Sequence, residues 1–262
     1  MASPTETMFV VRALGTAVEL RCGEDHVAQA VRRAWRDAQI HHPGDDTVSA
    51  VSIGSTAGDD IPTGDVNRVL HDLSPAVTRR AIAAHRGELV MLHAAALADP
   101  DTGAAAVLVA RSGTGKTTAC RALANRFAYL SDETAAITRA GAVLAYRKPL
   151  SLLPPDGRGH LKKQIAPSAL GLRLTDRECH IAALVLLDRD PTHTGQPIVE
   201  PLATVAAIAA IAPETSYLPS LDHPLQRLAE VVRLAGGAHR VTYAEAATLE
   251  PVLSRLLRAR PR

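Results

Sequence analysis

The run Ala110-Arg111-Ser112-Gly113-Thr114-Gly115-Lys116-Thr117 carries the clearest chemistry in this chain. It follows the spacing G-x-x-x-x-G-K-[ST], with Ala110 in place of the first glycine. Polyphosphate oxygens need many hydrogen-bond donors at short range. Gly113 and Gly115 let the backbone come close and turn its N–H groups inward. A helix opening at the end of the run adds its positive N-terminus. Ser112, Gly113, Thr114, Gly115, Lys116, Thr117 and Thr118 are therefore the expected nucleotide-binding residues. Lys116 reaches the β- and γ-phosphates in this reading, and the Thr117 hydroxyl is a magnesium ligand. ATP with Mg2+ is the expected pair. Alanine disfavours positive φ, so Ala110 is the position where the loop geometry departs from the pattern.

A second group follows soon after. Ser131-Asp132-Glu133 closes a short apolar stretch, Phe127–Leu130, one helix beyond the loop. Two adjacent carboxylates beside a triphosphate can divide the work. One holds magnesium, directly or through water, and the other takes a proton from an attacking hydroxyl. There is no Asn-Lys-x-Asp segment to read guanine and no Leu-Ser-Gly-Gly-Gln segment of a transporter ATPase.

The elements that must position these residues are legible from periodicity and turn chemistry. Leu89–Leu97 and Ala104–Ala110 are apolar runs separated by Asp99-Pro100-Asp101-Thr102-Gly103, which predicts two strands tightly joined. A helix is expected over Gly115–Asn125. Strands are expected at Phe127–Leu130, Ala135–Ile137, Ala142–Tyr146, Ile181–Leu187 and Arg240–Tyr243, and helices at Thr204–Ile211 and Leu225–Leu234. A last helix carries Leu249, Val252, Leu253, Leu256 and Leu257 on one face. Pro149–Gly159 reads as a loop.

The first third reads as a small α/β unit. Met8–Leu14 and Ala17–Cys22 are strands around a turn at Gly15. Asp25 is placed to cap a helix bearing Val27, Ala30, Val31, Ala34, Trp35 and Ala38, with Trp35 in the core. Thr47–Ile53 is another strand, Gly54–Gly64 a loop, and Val66–His85 a helix interrupted near Pro75. The division expected is 1–87 for this unit and 88–262 for the nucleotide-binding part.

The stretch from His93 to Ile137 resembles the catalytic core of the HPr kinase/phosphorylase family. The family's order is a histidine at the start of a strand, a tight turn, a second strand, the phosphate loop, a helix, and a strand ending in paired carboxylates. The counterparts here are His93, Ala110–Thr117 and Asp132-Glu133. The resemblance implies an α/β fold, a P-loop kinase core of the HPr kinase C-terminal domain type beside the small N-terminal α/β unit. It implies transfer of the γ-phosphoryl group to a serine or threonine hydroxyl. Asp132 would be the base, Glu133 would assist magnesium, and His93 would lie near the phosphates or the acceptor. Arg147 or Lys148 could neutralise transferring charge. The family's second residue at the carboxylate pair is aspartate rather than Glu133. Gly157-Arg158-Gly159 is only a faint counterpart of the segment linked with the reverse, phosphate-removing reaction. Shorter relatives modify ribosomally made peptides such as lasso-peptide precursors, so a peptide or small protein is the implied acceptor. The family often forms rings, which makes a homo-oligomer an expectation. A small-molecule kinase and an ATP-hydrolysing switch are the competing readings.

Composition narrows the classes. The net charge of +2 and scattered basic residues argue against a nucleic-acid partner. Arg255, Arg258, Arg260 and Arg262 read as the solvated end of the last helix. Cys22, Cys120 and Cys179 have neither zinc nor disulfide spacing. No apolar run reaches membrane-spanning length, and no charged segment followed by an apolar run opens the chain. A cytoplasmic setting without membrane contact is expected.

Overall fold

The computed structural model describes residues 6–41, 49–54, 58–111, 114–153 and 161–258. The architecture is mixed α/β with four sheets among these residues. The chain divides into two compact units. One comprises Met1–Ala84 with Tyr146–Leu170, and the other His85–Ala145 with Gly171–Arg262.

The first unit opens with a hairpin of β1 (Thr7–Ala13) and β2 (Thr16–Cys22). Leu14 and Gly15 both have positive φ, 53° and 94°, the geometry a two-residue hairpin turn needs. Next come α1 (Asp25–Trp35), β3 (Gln39–Ile40), β4 (Ser49–Gly54), β5 (Ile61–Pro62) and α2 (Val66–Ala84). The sheet order is β3-β1-β2-β4-β5, with β4 parallel to β2. Val27, Ala30, Val31, Ala34 and Trp35 are buried, as their spacing requires. Asp25 lies in the first helical turn rather than at the cap, which is Glu24 in extended backbone with no side-chain capping bond. The interruption expected at Pro75 does not occur. α2 runs through it, and tertiary packing of Leu73, Val77 and Ala81 outweighs the one backbone bond that proline removes.

The second unit begins with β6 (Val90–Leu92), β7 (Ala94–Ala98), β8 (Ala104–Val109), α3 (Lys116–Leu123), β9 (Ala128–Ser131), β10 (Ala135–Ile137) and β11 (Val143–Leu144). The single strand expected over Leu89–Leu97 is two strands in two different sheets, divided at His93. Periodicity cannot reveal that break, because the residues on both sides are buried and apolar. The turn after β7 forms as its composition predicts. Gly103 has φ +77°, and the Asp99 carboxylate accepts from the backbone N–H groups of Asp101 and Thr102 at 3.0 and 3.1 Å.

The chain then supplies a hairpin to the first unit, β12 (Leu150–Leu152) and β13 (Lys163–Ile165); β12 falls at the start of the loop expected over Pro149–Gly159, whose residues 154–159 lie outside the described residues. There the Tyr146 and Thr78 hydroxyls pair at 2.8 Å, and the Ser168 hydroxyl donates to Asp37 at 2.6 Å. The remaining elements belong to the second unit: β14 (His180–Arg189), β15 (Ile198–Leu202), α4 (Thr204–Ile211), β16 (Thr215–Ser216), α5 (Pro224–Leu234), β17 (Ala238–Tyr243) and α6 (Leu249–Arg258). Its main sheet has the order β15-β17-β14-β8-β7-β9, and a second sheet the order β11-β10-β6-β16. β8, β14 and β17 are parallel, while β7 is antiparallel to both β8 and β9. Four strands therefore end at one edge of the sheet. Val109, Ser131, Arg189 and Tyr243 finish there, and Ala94, opposite Val109, starts there. Open α/β sheets bind ligands at such an edge. Among the described residues no helix is long and apolar enough to cross a membrane.

Candidate functional site

The run at Ala110–Thr117 leaves the end of β8 and enters α3, the strand–loop–helix setting that phosphate cradling requires. Ser112 and Gly113, both expected to bind nucleotide, lie outside the described residues. Gly115 caps the helix with φ +100° and ψ 22°, a conformation that L side chains resist. Ala110 is not among the residues with positive φ, so replacing the first glycine carries no backbone penalty there. It is also nearly buried, at 6% exposure.

Lys116 is 7% exposed. Its ammonium folds back along the loop and donates to the Ala110 carbonyl at 2.6 Å and the Arg111 carbonyl at 3.3 Å. Burial pulls its pKa below the ordinary lysine value, against the nearby charges of Glu214, Asp132 and Glu133. A buried ammonium held on carbonyl oxygens is poised to exchange them for phosphate oxygens, which offer full negative charge.

Thr117, on the first turn of α3, donates its hydroxyl to Asp132 Oδ2 at 2.8 Å. The buried Tyr129 hydroxyl donates to the other oxygen, Oδ1, at 2.9 Å. Asp132 is itself 5% exposed, so both donors act on a largely dehydrated carboxylate. β9 ends immediately before it. The Ser131 hydroxyl accepts from the backbone N–H groups of Glu133 and Thr134 at 3.3 and 3.1 Å and shapes the turn. The two predicted groups, loop threonine and strand-end carboxylate, are thus brought into direct contact.

His93 sits at the step between β6 and β7. Its backbone N–H donates to the Glu214 carbonyl at 2.7 Å. Burial first, and then the Lys116 charge, lower its pKa below the ordinary histidine value and favour the neutral imidazole. The charges of Glu133 and Glu214 act on both His93 and Lys116, and that of Asp132 on Lys116. Thr114 donates to the Arg111 carbonyl and closes the loop's near side. Thr118 lies in the first turn of α3.

Hard oxygen donors suit magnesium, and Thr117 and Asp132 offer two side by side. No group of three or more His, Cys, Asp or Glu residues suited to a metal ion occurs among the described residues. An ion here would depend on phosphate and water oxygens for its other ligands. Magnesium tolerates that arrangement well.

Sequence reasoning missed Tyr129, Glu214, Arg111 and Arg240. Tyr129 stands three residues before Asp132, yet in a strand it reads as a core aromatic. Glu214 is far along the chain and reaches His93 and Lys116 only because β16 pairs with β6. Arg111 and Arg240 line a cavity of about 460 Å³ beside the loop, with Leu186, Leu187, Asp188 and Glu214. Arg147 and Lys148 belong to the first unit. Gly157-Arg158-Gly159 lies outside the described residues.

The fold and site together are those of a mixed α/β chain with a phosphate-loop motif at the carboxyl edge of its main sheet. No family model matches the chain, and no curated protein matches it. Among solved structures it is similar to the Hpr(Ser) kinase/phosphatase from Coxiella burnetii, at 12% identity and a TM-score of 0.32. That match covers 64% of this chain and 93% of the other. At that distance the likeness bears on neither substrate nor mechanism.

Proposed function

We propose that this chain is an ATP- and magnesium-dependent phosphotransferase that moves the γ-phosphoryl group to a serine- or threonine-type hydroxyl. Within that reading the acceptor hydroxyl belongs to a peptide, a small protein or a small molecule. The observation that carries it is the 2.8 Å bond between Thr117 and Asp132 at the head of α3, directly after the glycine-rich run. It joins the two parts that phosphoryl transfer needs, a phosphate cradle and a carboxylate at its metal side.

The same bond favours a division of labour opposite to the one that the family resemblance implies. Asp132 is fixed against Thr117, the loop's own magnesium ligand, and suits the metal side. The Glu133 charge acts on both His93 and Lys116. We assign the general base to Glu133, with His93 as a positioning residue. Lys116 stabilises the charge on the transferring group. When bound, magnesium would neutralise charge on the β- and γ-oxygens.

The test is incubation with magnesium and γ-labelled ATP in the presence of a neighbour-encoded precursor peptide, HPr protein and free serine. Mass spectrometry follows each acceptor, and free phosphate is counted separately. Glu133→Gln should keep nucleotide binding and lose about 10²–10⁴-fold in transfer, the scale of a positioned base. Asp132→Asn should raise the magnesium concentration required. Unchanged turnover in both variants would remove the carboxylate pair from the reaction. Tight ATP binding with only free phosphate would turn the reading towards a hydrolysing switch.

A further inference from the structure

The cavity beside the loop is bounded by Val109, Ala110, Arg111 and Thr114 on one side and by Leu186, Leu187 and Asp188 of β14 on another. Ala209, Ala210, Pro213, Glu214 and Arg240 complete it. It thus occupies the carboxyl edge where β8, β14 and β17 run side by side. Its volume of about 460 Å³ lies in the range of small-molecule sites.

Three observations put it at the end of the loop where phosphoryl transfer occurs. The Lys116 ammonium, the group that meets the β- and γ-phosphates, rests on the carbonyls of Ala110 and Arg111, two of the cavity's own wall residues. Glu214, another wall residue, lies within electrostatic reach of both Lys116 and His93. His93 is bonded to the Glu214 carbonyl.

The lining also has a chemical signature. Val109 and Leu186, opposite one another on β8 and β14 and so on one face of the sheet, give an apolar floor. Around it stand two guanidinium groups, Arg111 and Arg240, and two carboxylates, Asp188 and Glu214. Among the described residues these four form no ion pair with one another. A ligand that is itself a zwitterion would satisfy both signs of charge at once.

We propose that this cavity is the acceptor site and that its occupant is a free hydroxy amino acid. The carboxylate of the amino acid pairs with Arg240 and Arg111, its ammonium with Asp188 and Glu214, and its hydroxyl faces the γ-phosphorus. The hydroxyl oxygen forms the new P–O bond as the bond from the γ-phosphorus to the β,γ-bridging oxygen breaks. The hydroxyl proton passes to the Glu133 carboxylate, and ADP leaves. This inference rests on the phosphotransferase reading above. It replaces a peptide acceptor with a small one, because a residue inside a peptide has neither free charge.

The full-length protein is tested in two arms. Calorimetry with MgADP reports nucleotide binding independently of any acceptor. Phosphorus NMR then follows MgATP with L-serine, L-threonine and L-homoserine, and with N-acetyl-L-serine amide and a seryl peptide. The expected result is an O-phosphoamino acid from at least one free amino acid, with the capped forms at least tenfold poorer in kcat/KM. Arg240→Leu should raise the amino-acid KM by about 10- to 100-fold and leave the ATP KM unchanged, while Arg240→Lys recovers part of the loss. Nucleotide binding without transfer to any free amino acid overturns the inference and leaves the kinase reading standing. So does equal use of the capped or peptide forms. Failure to bind MgADP overturns both.

Discussion

Replacing Lys116 with methionine separates what this side chain does for the fold from what it does for the nucleotide. In the structure its ammonium is 7% exposed and bonded to two carbonyls. Each charge-assisted bond is worth about 1.5–3 kcal/mol. Dehydrating an ammonium costs several kcal/mol, and the lowered pKa shows that burial dominates its surroundings. The two contributions nearly cancel, and methionine fills a similar volume. Lys116→Met should therefore shift the apo stability by no more than about 2 kcal/mol, or roughly 4–8 °C in Tm for a domain of this size. The response to ligand should change far more. MgATP at a hundredfold excess over its Kd stabilises the native protein by about 2.7 kcal/mol, or about 5–11 °C. Losing one charge-assisted phosphate contact weakens binding by up to about 10²-fold, which at the same ATP concentration leaves about 0.4 kcal/mol, a shift of roughly 1–2 °C. Thermal unfolding of both proteins, with and without MgATP, reads all four quantities. A variant that keeps the full MgATP shift would refute the assignment of Lys116 to the phosphates. So would one whose apo form collapses while its remaining ligand shift is normal.

Three further outcomes follow from the same geometry. Tyr129→Phe removes a buried donor from Asp132 and should cost about 1.5–3 kcal/mol by thermal unfolding, together with a higher magnesium requirement; an unchanged midpoint and metal dependence would count against the contact. Gly115→Ala should cost about 1–2 kcal/mol through its φ of +100° alone, since the nearest atom a Cβ would meet is 3.9 Å away, and the denaturant midpoint reads this cost. His93 has a pKa below its unfolded value of 6.5, so the unfolded chain takes up the proton first on acidification. Its contribution to stability is full above pH 6.5 and is lost as pH falls through the lower folded value. Tm measured from pH 8 to pH 5 should fall more steeply in the parent than in His93→Gln, and coincident slopes would contradict the burial of this ring.

Local chemistry was readable wherever neighbours in sequence settle it. The run from Ala110 to Thr117 announces itself because phosphate contact needs small residues, a lysine and a hydroxyl at set intervals along one loop. The turn at Asp99–Gly103 is equally local, since a single carboxylate and one glycine complete it. The apolar stripe of α1 follows from helical spacing alone. What lay beyond reach depends on contacts between distant segments. Pro75 looks like a helix break until the packing of α2 outweighs it. Leu89–Leu97 looks like one strand until the two sheets divide it at His93. Residues 146–170 look like part of the nucleotide-binding half, yet they pack with the first unit.

The roles within the site show the same boundary. Sequence alone nominated Thr117, Asp132 and Glu133 and could not say which carboxylate faces the metal, because adjacent residues share every local property. The division of labour proposed above rests on contacts that sheet order creates. With β9 lying beyond β7, Asp132 arrives against Thr117 and Tyr129, while the Glu133 charge is felt by His93 and Lys116. Glu214, Arg240 and the cavity they line exist only because β16 pairs with β6 and β17 with β14. A phosphate loop is written in consecutive residues. The cavity beside it is assembled from strands that meet only when the chain has folded.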